Sequence, residues 1–158
     1  MLGPDSDTLI RPAVAADAPA LARLRYEFRV GIESAAESET VFLERCTAWM
    51  LQRLGPGASW RCWVAQMRGG IVGSAWLQLI EKLPNPVAEP ELHGYISSLY
   101  VRPTQRGVGF GSALLAACLR ECEAMAVDAV ILWPTPRSRS LYARHGFALR
   151  DDLMERRG

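Results

Sequence analysis

The chain has 158 residues, of which 49% are hydrophobic and 22% charged, and its formal net charge is +1. This length and composition predict one globular domain, 1–158, with a core large enough to fold without disulfides or metals. The near-neutral charge gives no basis for a nucleic-acid partner. No apolar run approaches a membrane span, and Met1–Arg11 lacks a secretory signal pattern, so we expect a cytoplasmic protein without a membrane partner.

The four cysteines predict neither a metal site nor a disulfide framework. No pair has Cys-x-x-Cys spacing, and the chain has only two histidines. Cys118 and Cys122 fall on the apolar stripe of one predicted helix, which is typical of small buried side chains. A cysteine nucleophile and a metal cofactor are therefore not expected.

The first third of the chain predicts a short strand followed by two helices. Residues 8–13 have strand character, and Asp17 is a suitable N-cap for the helix after it. Apolar side chains recur there at helical spacing, namely at Leu21, Leu24 and Phe28. A second helix is predicted over 39–54, where the Gly-Pro-Gly sequence at 55–57 ends it.

The middle of the chain predicts an antiparallel arrangement of three strands. Residues 60–67 alternate in the manner of a strand, and the turn at 68–70 leads into a second strand over 71–81. Residues 82–92 contain three prolines and are predicted as a loop. The next strand covers 93–101.

A glycine-rich turn then leads into a helix that runs to about residue 126. Gly107, Gly109 and Gly111 alternate through the turn, so the backbone can approach a ligand closely. The first amides of a helix are unpaired donors at the positive end of its dipole. A phosphate or pyrophosphate is the expected guest, and Arg102 and Arg106 add positive charge.

Two familiar phosphate motifs do not fit this turn. A P-loop requires Gly-Lys-Ser/Thr, which is absent. The dinucleotide fingerprint requires glycine where Ser112 stands, which disfavours a nucleotide-binding α/β domain, although Asp128 has the spacing of a ribose-binding acid. The pattern that remains is Arg106-x-x-Gly109-x-Gly111.

The end of the chain predicts three more elements. Residues 127–133 are a short apolar strand, and the helix before it implies a right-handed crossover and a parallel strand pair. Residues 136–145 form a short helix closed by Gly146, and 147–154 are predicted as a last strand.

The Arg106-x-x-Gly109-x-Gly111 pattern resembles the acyl-CoA pyrophosphate loop of the GNAT superfamily of N-acetyltransferases. Residues 141–147 (LYARHGF) look like the family's second signature, at the interval that the family has. The resemblance covers about residues 60–154 well and the first 60 loosely. It implies an α/β (α+β) fold with a mixed, mostly antiparallel twisted sheet, helices on both faces and a splayed parallel strand pair.

By this resemblance, acetyl-CoA is a co-substrate bound between the strands that end at Val101 and Trp133. Amides over 106–112 hold its pyrophosphate, and a bulge frees a strand amide near 99–101 for the thioester carbonyl, where it stabilises the developing oxyanion. Thr135, where the family often has Asn, and Ser138 are expected along the pantetheine arm. The implied cofactor-binding residues are Leu99, Tyr100, Val101, Arg106, Gly107, Val108, Gly109, Phe110, Gly111, Ser112, Thr135 and Ser138.

Tyr142 matches the position where many family members carry the general acid, because a phenol can protonate the departing thiolate. The alternatives are a tyrosine that packs on Phe147 or one that only hydrogen-bonds the sulfur. The family often has a glutamate in the strand where this chain has Ser97 and Ser98, so the general base is not assigned. Its candidates are an ordered water chain and four side chains, Glu27, Glu33, Glu81 and His93.

The sequence thus predicts an N-acetyltransferase in which a primary amine attacks acetyl-CoA directly in a ternary complex. The alternative is a non-catalytic acyl-CoA-binding or sensing module on the same fold. The acceptor is a small-molecule or peptide amine, and a homodimer, common in the family, stays open. Four tryptophans are expected as core or cleft walls, with a cation site for the amine as the alternative: Trp60, Trp63, Trp76 and Trp133.

Overall fold

The computed structural model describes residues 7–158, so residues 1–6 of the segment Met1–Arg11 lie outside the described residues. Within this range, the chain forms five strands and four α-helices. The strands are β1 (Leu9–Pro12), β2 (Trp60–Met67), β3 (Gly70–Glu81), β4 (Leu92–Val101) and β5 (Ala129–Ile131). The helices are α1 (Ala18–Val30), α2 (Glu39–Arg53), α3 (Phe110–Ala124) and α4 (Arg139–Arg144).

The strands form one sheet in the order β1-β2-β3-β4-β5. The first four strands pair antiparallel, and β5 pairs parallel to β4. The helix between β4 and β5 makes this parallel connection possible, since a parallel pair needs a long crossover. The predicted mixed, mostly antiparallel sheet is confirmed.

Helices cover both faces of this sheet, as predicted. One face carries α3 and α4, whose core centres on fully buried Leu77, Leu114 and Leu115. The other face carries α1 and α2, with Leu21 and Leu24 packed against Val64. Apolar side chains recur about every 3.6 residues along the helices, and side chains alternate between the two faces along the strands. The apolar sides of the helices therefore pack against the two faces of the sheet.

The predicted last strand over 147–154 is wrong. Residues 147–150 have no regular structure, and no strand follows in the described chain. Leu149 and Met154 are 76% and 97% exposed, so their side chains do not pack against the sheet. The β5 strand is also shorter than the predicted 127–133. Its three residues offer few backbone hydrogen bonds to a strand that would pair with its free edge.

Among residues 7–158, no helix combines the length and the apolar character that crossing a membrane requires.

Candidate active site

The turn before α3 presents a run of unpaired backbone donors. Gly107 and Gly109 have φ values of 82° and 97°, which glycine adopts without strain. Ala113 is the first helical residue whose amide finds a backbone acceptor, the Gly109 carbonyl at 3.0 Å. The amides of 107–112 have no backbone acceptor in the described part of the chain, whereas the Arg106 amide donates to the Pro103 carbonyl at 3.4 Å. These six amides suit an anionic ligand.

The two arginines beside this turn have different partners. The Arg102 guanidinium is engaged by Glu27 on α1 through two hydrogen bonds of 2.9 and 3.0 Å. Arg106 donates from Nε to the Val101 carbonyl at 2.7 Å and lies over the Tyr100 ring, and it has no carboxylate partner among residues 7–158. Burial and the nearby charge of Arg137 lower the pKa of Arg106. Arg106 and Arg137 therefore supply the positive charge beside this turn. The sequence analysis named Arg102 and Arg106 but not Arg137.

Several predicted cofactor-binding residues lie where only their backbone can reach a ligand. The side chains of Tyr100, Val101 and Phe110 are buried in the two cores. Leu99 packs against the core beneath α3, whereas Val108 is exposed.

The Ser112 side chain is held by a histidine of the next helix. The His145 Nδ1–H donates to the Leu141 carbonyl at 3.0 Å, which leaves Nε2 to accept from Ser112 Oγ at 3.1 Å. A Cβ at Gly111 would lie 3.5 Å from a Leu141 methyl group, which is an ordinary van der Waals contact. The bond ties the start of α3 to the end of α4.

The β4 strand contains a bulge at the expected place. Its register with β3 passes from Ser74–Tyr100 to Trp76–Ser97, so two residues of β4 oppose Ala75 alone. Ser98, one of these two, has φ 58°, which is uncommon for a residue other than glycine. The other residue of the bulge is Leu99.

The parallel pair separates beyond its third residue pair. Pairing between β4 and β5 ends at Tyr95–Ile131, while β4 continues to Val101. Residues 96–101 thus have no β5 partner within the described chain. The wedge between the two strands confirms the predicted splayed pair.

Tyr142 lies on α4 and belongs to the same core as Ile96 and Val101, in the part of β4 that has no β5 partner. It is 9% exposed, and its ring packs edge-on against Phe147 with centroids 5.7 Å apart. Burial raises the pKa of the Tyr142 phenol, and the nearby Ser138 hydroxyl acts in the opposite direction. Both the packing and the catalytic interpretation of Tyr142 are compatible with this position, because a ring held by packing can still present its hydroxyl.

Thr135 and Ser138 form a turn that precedes α4. The Thr135 amide donates to Ser138 Oγ at 2.9 Å, and the two hydroxyl oxygens are 3.0 Å apart. Thr135 is exposed, whereas Ser138 is partly buried and its hydroxyl donates to the Thr135 carbonyl at 3.1 Å.

The four candidate bases do not gather at the bulge. Glu27 is bound to Arg102, and Glu33 lies near Arg29 with 79% of its side chain exposed. His93 and Glu81 are at the opposite end of the β3–β4 ladder from Ser98.

A cavity of about 340 Å³ opens beside the bulge on the α1–α2 face of the sheet. Ser97 and Ser98 form its β4 wall, and Arg25 and Arg45 reach it from the helices. The apolar wall consists of aromatic and sulfur-containing side chains: Phe42, Cys46, Trp49, Met50, Trp60 and Trp76. The sequence analysis found Trp60 and Trp76 but missed Arg25, Arg45 and Trp49, because residues so far apart in sequence give no local signal.

The other two predicted tryptophans lie elsewhere. Trp63 packs against the core beneath α3. Trp133 is 57% exposed and contacts Tyr95 edge-on, with ring centroids 5.3 Å apart.

All four cysteines are buried and free. Burial raises the pKa of each thiol, to about 11 for Cys122. No group of three or more His, Cys, Asp or Glu side chains within 7–158 is arranged to hold a metal ion.

Comparison with known proteins relates this geometry to a family. The model of the "Acetyltransferase (GNAT) family" matches residues 23–147. A GCN5-related N-acetyltransferase from Ralstonia eutropha JMP134 is similar in structure, with a TM-score of 0.77, 27% identity and coverage of 94% of this chain and 97% of that chain. No curated protein matches the chain significantly.

Two further solved structures share the fold at lower identity. A predicted acetyltransferase with acetyl-CoA from Clostridium acetobutylicum has a TM-score of 0.78 at 22% identity, covering 95% of this chain and 96% of that one. Glucosamine-6-phosphate N-acetyltransferase from Arabidopsis thaliana has a TM-score of 0.71 at 16% identity, covering 95% and 97%.

Proposed function

The chain belongs to the GNAT acetyltransferase family, and we propose that it transfers an acetyl group from acetyl-CoA to a primary amine. The acceptor is a small-molecule or peptide amine, and the reaction takes place in a ternary complex without a covalent enzyme intermediate. The proposal includes a cytoplasmic location and one domain over 1–158.

The observation that carries this proposal is the run of unpaired amides over 107–112. Six donors at the start of a fifteen-residue helix fit the pyrophosphate of CoA, and Arg106 and Arg137 add charge next to them. The family uses acetyl-CoA, and the similar Clostridium acetobutylicum structure is described with acetyl-CoA.

The wedge between β4 and β5 suits the pantetheine arm and the thioester. In the proposed reaction the amine nitrogen attacks the thioester carbonyl carbon, and a β4 amide near the Ser98–Leu99 bulge stabilises the developing oxyanion. The carbon–sulfur bond then breaks, and the Tyr142 phenol gives its proton to the departing thiolate. The amine loses its own proton to water.

Tyr142 is protonated at neutral pH, which this role requires. Its pKa lies above the ordinary value of 10.0 because the phenol is buried. The same burial destabilises a thiolate, so the sulfur becomes a better proton acceptor in the wedge than in water.

The first test is thermal unfolding of the protein with acetyl-CoA, adenosine bisphosphate or NAD. A ligand of the folded state stabilises it by about 2.7 kcal/mol at a hundredfold excess over its dissociation constant. We expect acetyl-CoA and adenosine bisphosphate to raise the midpoint and NAD to leave it unchanged. No shift at millimolar acetyl-CoA would contradict the proposal.

The second test separates catalysis from binding. Release of free CoA thiol from acetyl-CoA is followed with and without a panel of primary amines. Amine-dependent release supports the acetyltransferase. Binding of acetyl-CoA without release for any amine class would favour the acyl-CoA-binding module instead.

A further inference from the structure

The charged side chains that line the cavity at the bulge are of one sign, whereas Glu33 and Glu37 line an adjoining pocket that shares Arg25. Arg25 and Arg45 are its ionisable lining residues besides Cys46, and no Asp or Glu is among the described residues that line it. Arg45 is ion-paired with Glu37, which lies outside this cavity. Arg25 is therefore the lining residue whose positive charge has no carboxylate partner in the described chain.

Arg25 differs in this respect from every other charged residue of α1. Arg23 pairs with Glu39, Glu27 with Arg102, and Arg29 with Glu33. The Arg25 guanidinium makes one hydrogen bond in the described chain, from Nη1 to Ser98 Oγ at 3.4 Å, and it lies 5.7 Å from the Phe28 ring centroid.

This arrangement leaves Arg25 short of partners in a half-buried place. Burial and the charge of Arg29 lower its pKa, but a guanidinium remains charged at neutral pH. A charge removed from water without a counter-ion is costly, and a carboxylate is the partner that matches the planar guanidinium. The site thus favours an anionic group on the ligand.

The apolar wall determines what the rest of the ligand is. Trp49, Trp60 and Trp76 pack edge-on around one another, with ring centroids 5.3 to 6.1 Å apart. A volume of about 340 Å³ is at the lower end of small-molecule sites. Such a cavity suits one aromatic or large aliphatic side chain.

The same wall is unsuited to a cationic ligand. The Arg53 guanidinium already lies 4.3 Å from the Trp49 ring centroid, and the Arg45 guanidinium lies 5.5 Å from that of Phe42. Positive charges near the site also favour the neutral form of a bound amine, which is the nucleophilic form. A polyamine or a lysine side chain gains no counter-charge from these lining residues.

Resting on the acetyltransferase function proposed above, we propose that the acceptor is an amino acid-like amine. It carries a carboxylate next to its amino group, and its side chain is aromatic or large and apolar. Arg25 binds the carboxylate, and the tryptophans contact the side chain. Because Arg25 contacts Ser98 in the bulge, an amine adjacent to that carboxylate reaches the thioester at the neighbouring strand amide.

The experiment compares amines that differ only in the carboxylate. Acetylation of L-phenylalanine and phenethylamine is measured with acetyl-CoA, together with that of L-tryptophan and tryptamine. A charge-assisted hydrogen bond stabilises enough to make kcat/KM about 10- to 100-fold higher for the amino acid of each pair. Equal or faster acetylation of the decarboxylated amine would overturn the inference.

An equilibrium measurement gives a readout that does not depend on turnover. Three tryptophans lie at the cavity, so their fluorescence reports binding of L-phenylalanine or phenethylamine in the presence of CoA. We expect the dissociation constant of phenethylamine to be about 10- to 100-fold higher. Phenethylamine binding as tightly as L-phenylalanine would overturn the inference.

Variants then assign the preference to one residue. Arg25→Met is expected to lower kcat/KM for L-phenylalanine by about 10- to 100-fold and to bring the ratio within each pair close to one. Arg25→Lys should restore part of the preference, because it returns the charge without the planar fork. Arg23→Met, on the same helix but outside the cavity, is the control and should keep the wild-type ratio.

The outcomes separate this inference from the function on which it rests. Without an acetyl-CoA shift in thermal unfolding, the acetyltransferase proposal itself fails. With the shift present and amines acetylated, a missing preference for the carboxylate overturns the amino acid inference alone. If Arg25→Met does not fold, the matched amine pairs on the wild-type protein still decide.

Discussion

At the scale of single residues, the Asp17 carboxylate forms an ion pair with Arg11 in which only 9% of the Asp17 side chain is exposed. Its carboxylate accepts hydrogen bonds of 2.7 and 2.9 Å from Arg11 and of 2.8 Å from the Val14 amide. The predicted N-cap thus stands at the start of α1, but its side chain caps the short 3-10 turn (Ala15–Asp17) before the helix. The Arg11 hydrogen bonds lower the pKa of Asp17 more than burial raises it.

We predict that Asp17→Asn destabilises the fold at pH 7 by about 2 kcal/mol, because it removes the charge that Arg11 binds. A lowered folded-state pKa contributes stability above the unfolded value, near 3.8, and this is lost as the pH falls through the folded pKa. Denaturant unfolding of both proteins should therefore show a difference at pH 7 that shrinks below about pH 3.8. Asp7→Asn, at an exposed pair with Arg68, is the control.

Tyr142 is the residue on which the proposed chemistry depends. We predict that Tyr142→Phe lowers kcat by about 100-fold, within the range of general acid catalysis, and leaves acetyl-CoA binding largely unchanged. Steady-state kinetics and a CoA titration measure the two effects. Tyr26→Phe, which removes a phenol hydroxyl from α1, is the control. An unaltered kcat across the pH range would reject the acid role.

At the scale of the elements, the turn before α3 depends on backbone conformation rather than on side-chain space. Gly107 has φ 82°, and a Cβ there would meet no atom within 4 Å. Gly57, in the turn that ends α2, has φ 73° and equally open surroundings. A side chain at either glycine should therefore raise the backbone energy by a similar amount. The two positions differ because only Gly107 lies next to the unpaired amides before α3.

We predict that Gly107→Ala and Gly57→Ala each lower the free energy of unfolding by about 1 kcal/mol, because an L side chain disfavours positive φ. Only Gly107→Ala should weaken acetyl-CoA binding, by about tenfold, since it shifts the amides that point at the pyrophosphate. Thermal unfolding and a CoA titration test both. Equal CoA affinity in the two variants would mean that the turn does not bind the pyrophosphate.

At the scale of the whole molecule, the sheet divides the interior into two cores with different neighbours. The core beneath α3 lies against the wedge, whereas the core beneath α1 and α2 borders the cavity at the bulge. Cys118 and Cys122 belong to the first core, Cys46 and Cys62 to the second. Burial in both cores keeps these thiols from acting as nucleophiles.

We predict that a thiol reagent at pH 8 labels the native protein slowly and all four cysteines rapidly in denaturant. With a pKa of about 11, Cys122 has a thiolate fraction on the order of 10⁻³ at that pH. Cys46, which lines the cavity, is expected to react first among the four. Rapid native labelling of Cys118 or Cys122 would show that the core beneath α3 opens readily.

Most of the fold could be predicted because its signals are local. Apolar periodicity predicted the first three helices, Gly146 marked the end of the fourth, and proline and glycine positions separated the strands. The last strand over 147–154 was predicted wrongly, since apolar residues in a segment do not show whether a sheet edge is there to pair with it. The bulge depends on how β4 aligns with β3 at Ala75. This alignment cannot be inferred from the residues of β4 alone.

The sequence by itself determined the family and the glycine turn before α3. The glycines at 107 and 109 require a backbone that few other residues adopt, and the second signature over 141–147 follows at a set interval. Only the tertiary structure revealed the cavity at the bulge, to which we assign the acceptor. Its lining comes from α1, α2 and three strands, so Arg25 meets Ser98 and the tryptophans through long-range packing. Charge without a partner becomes visible only when all neighbours in space are known.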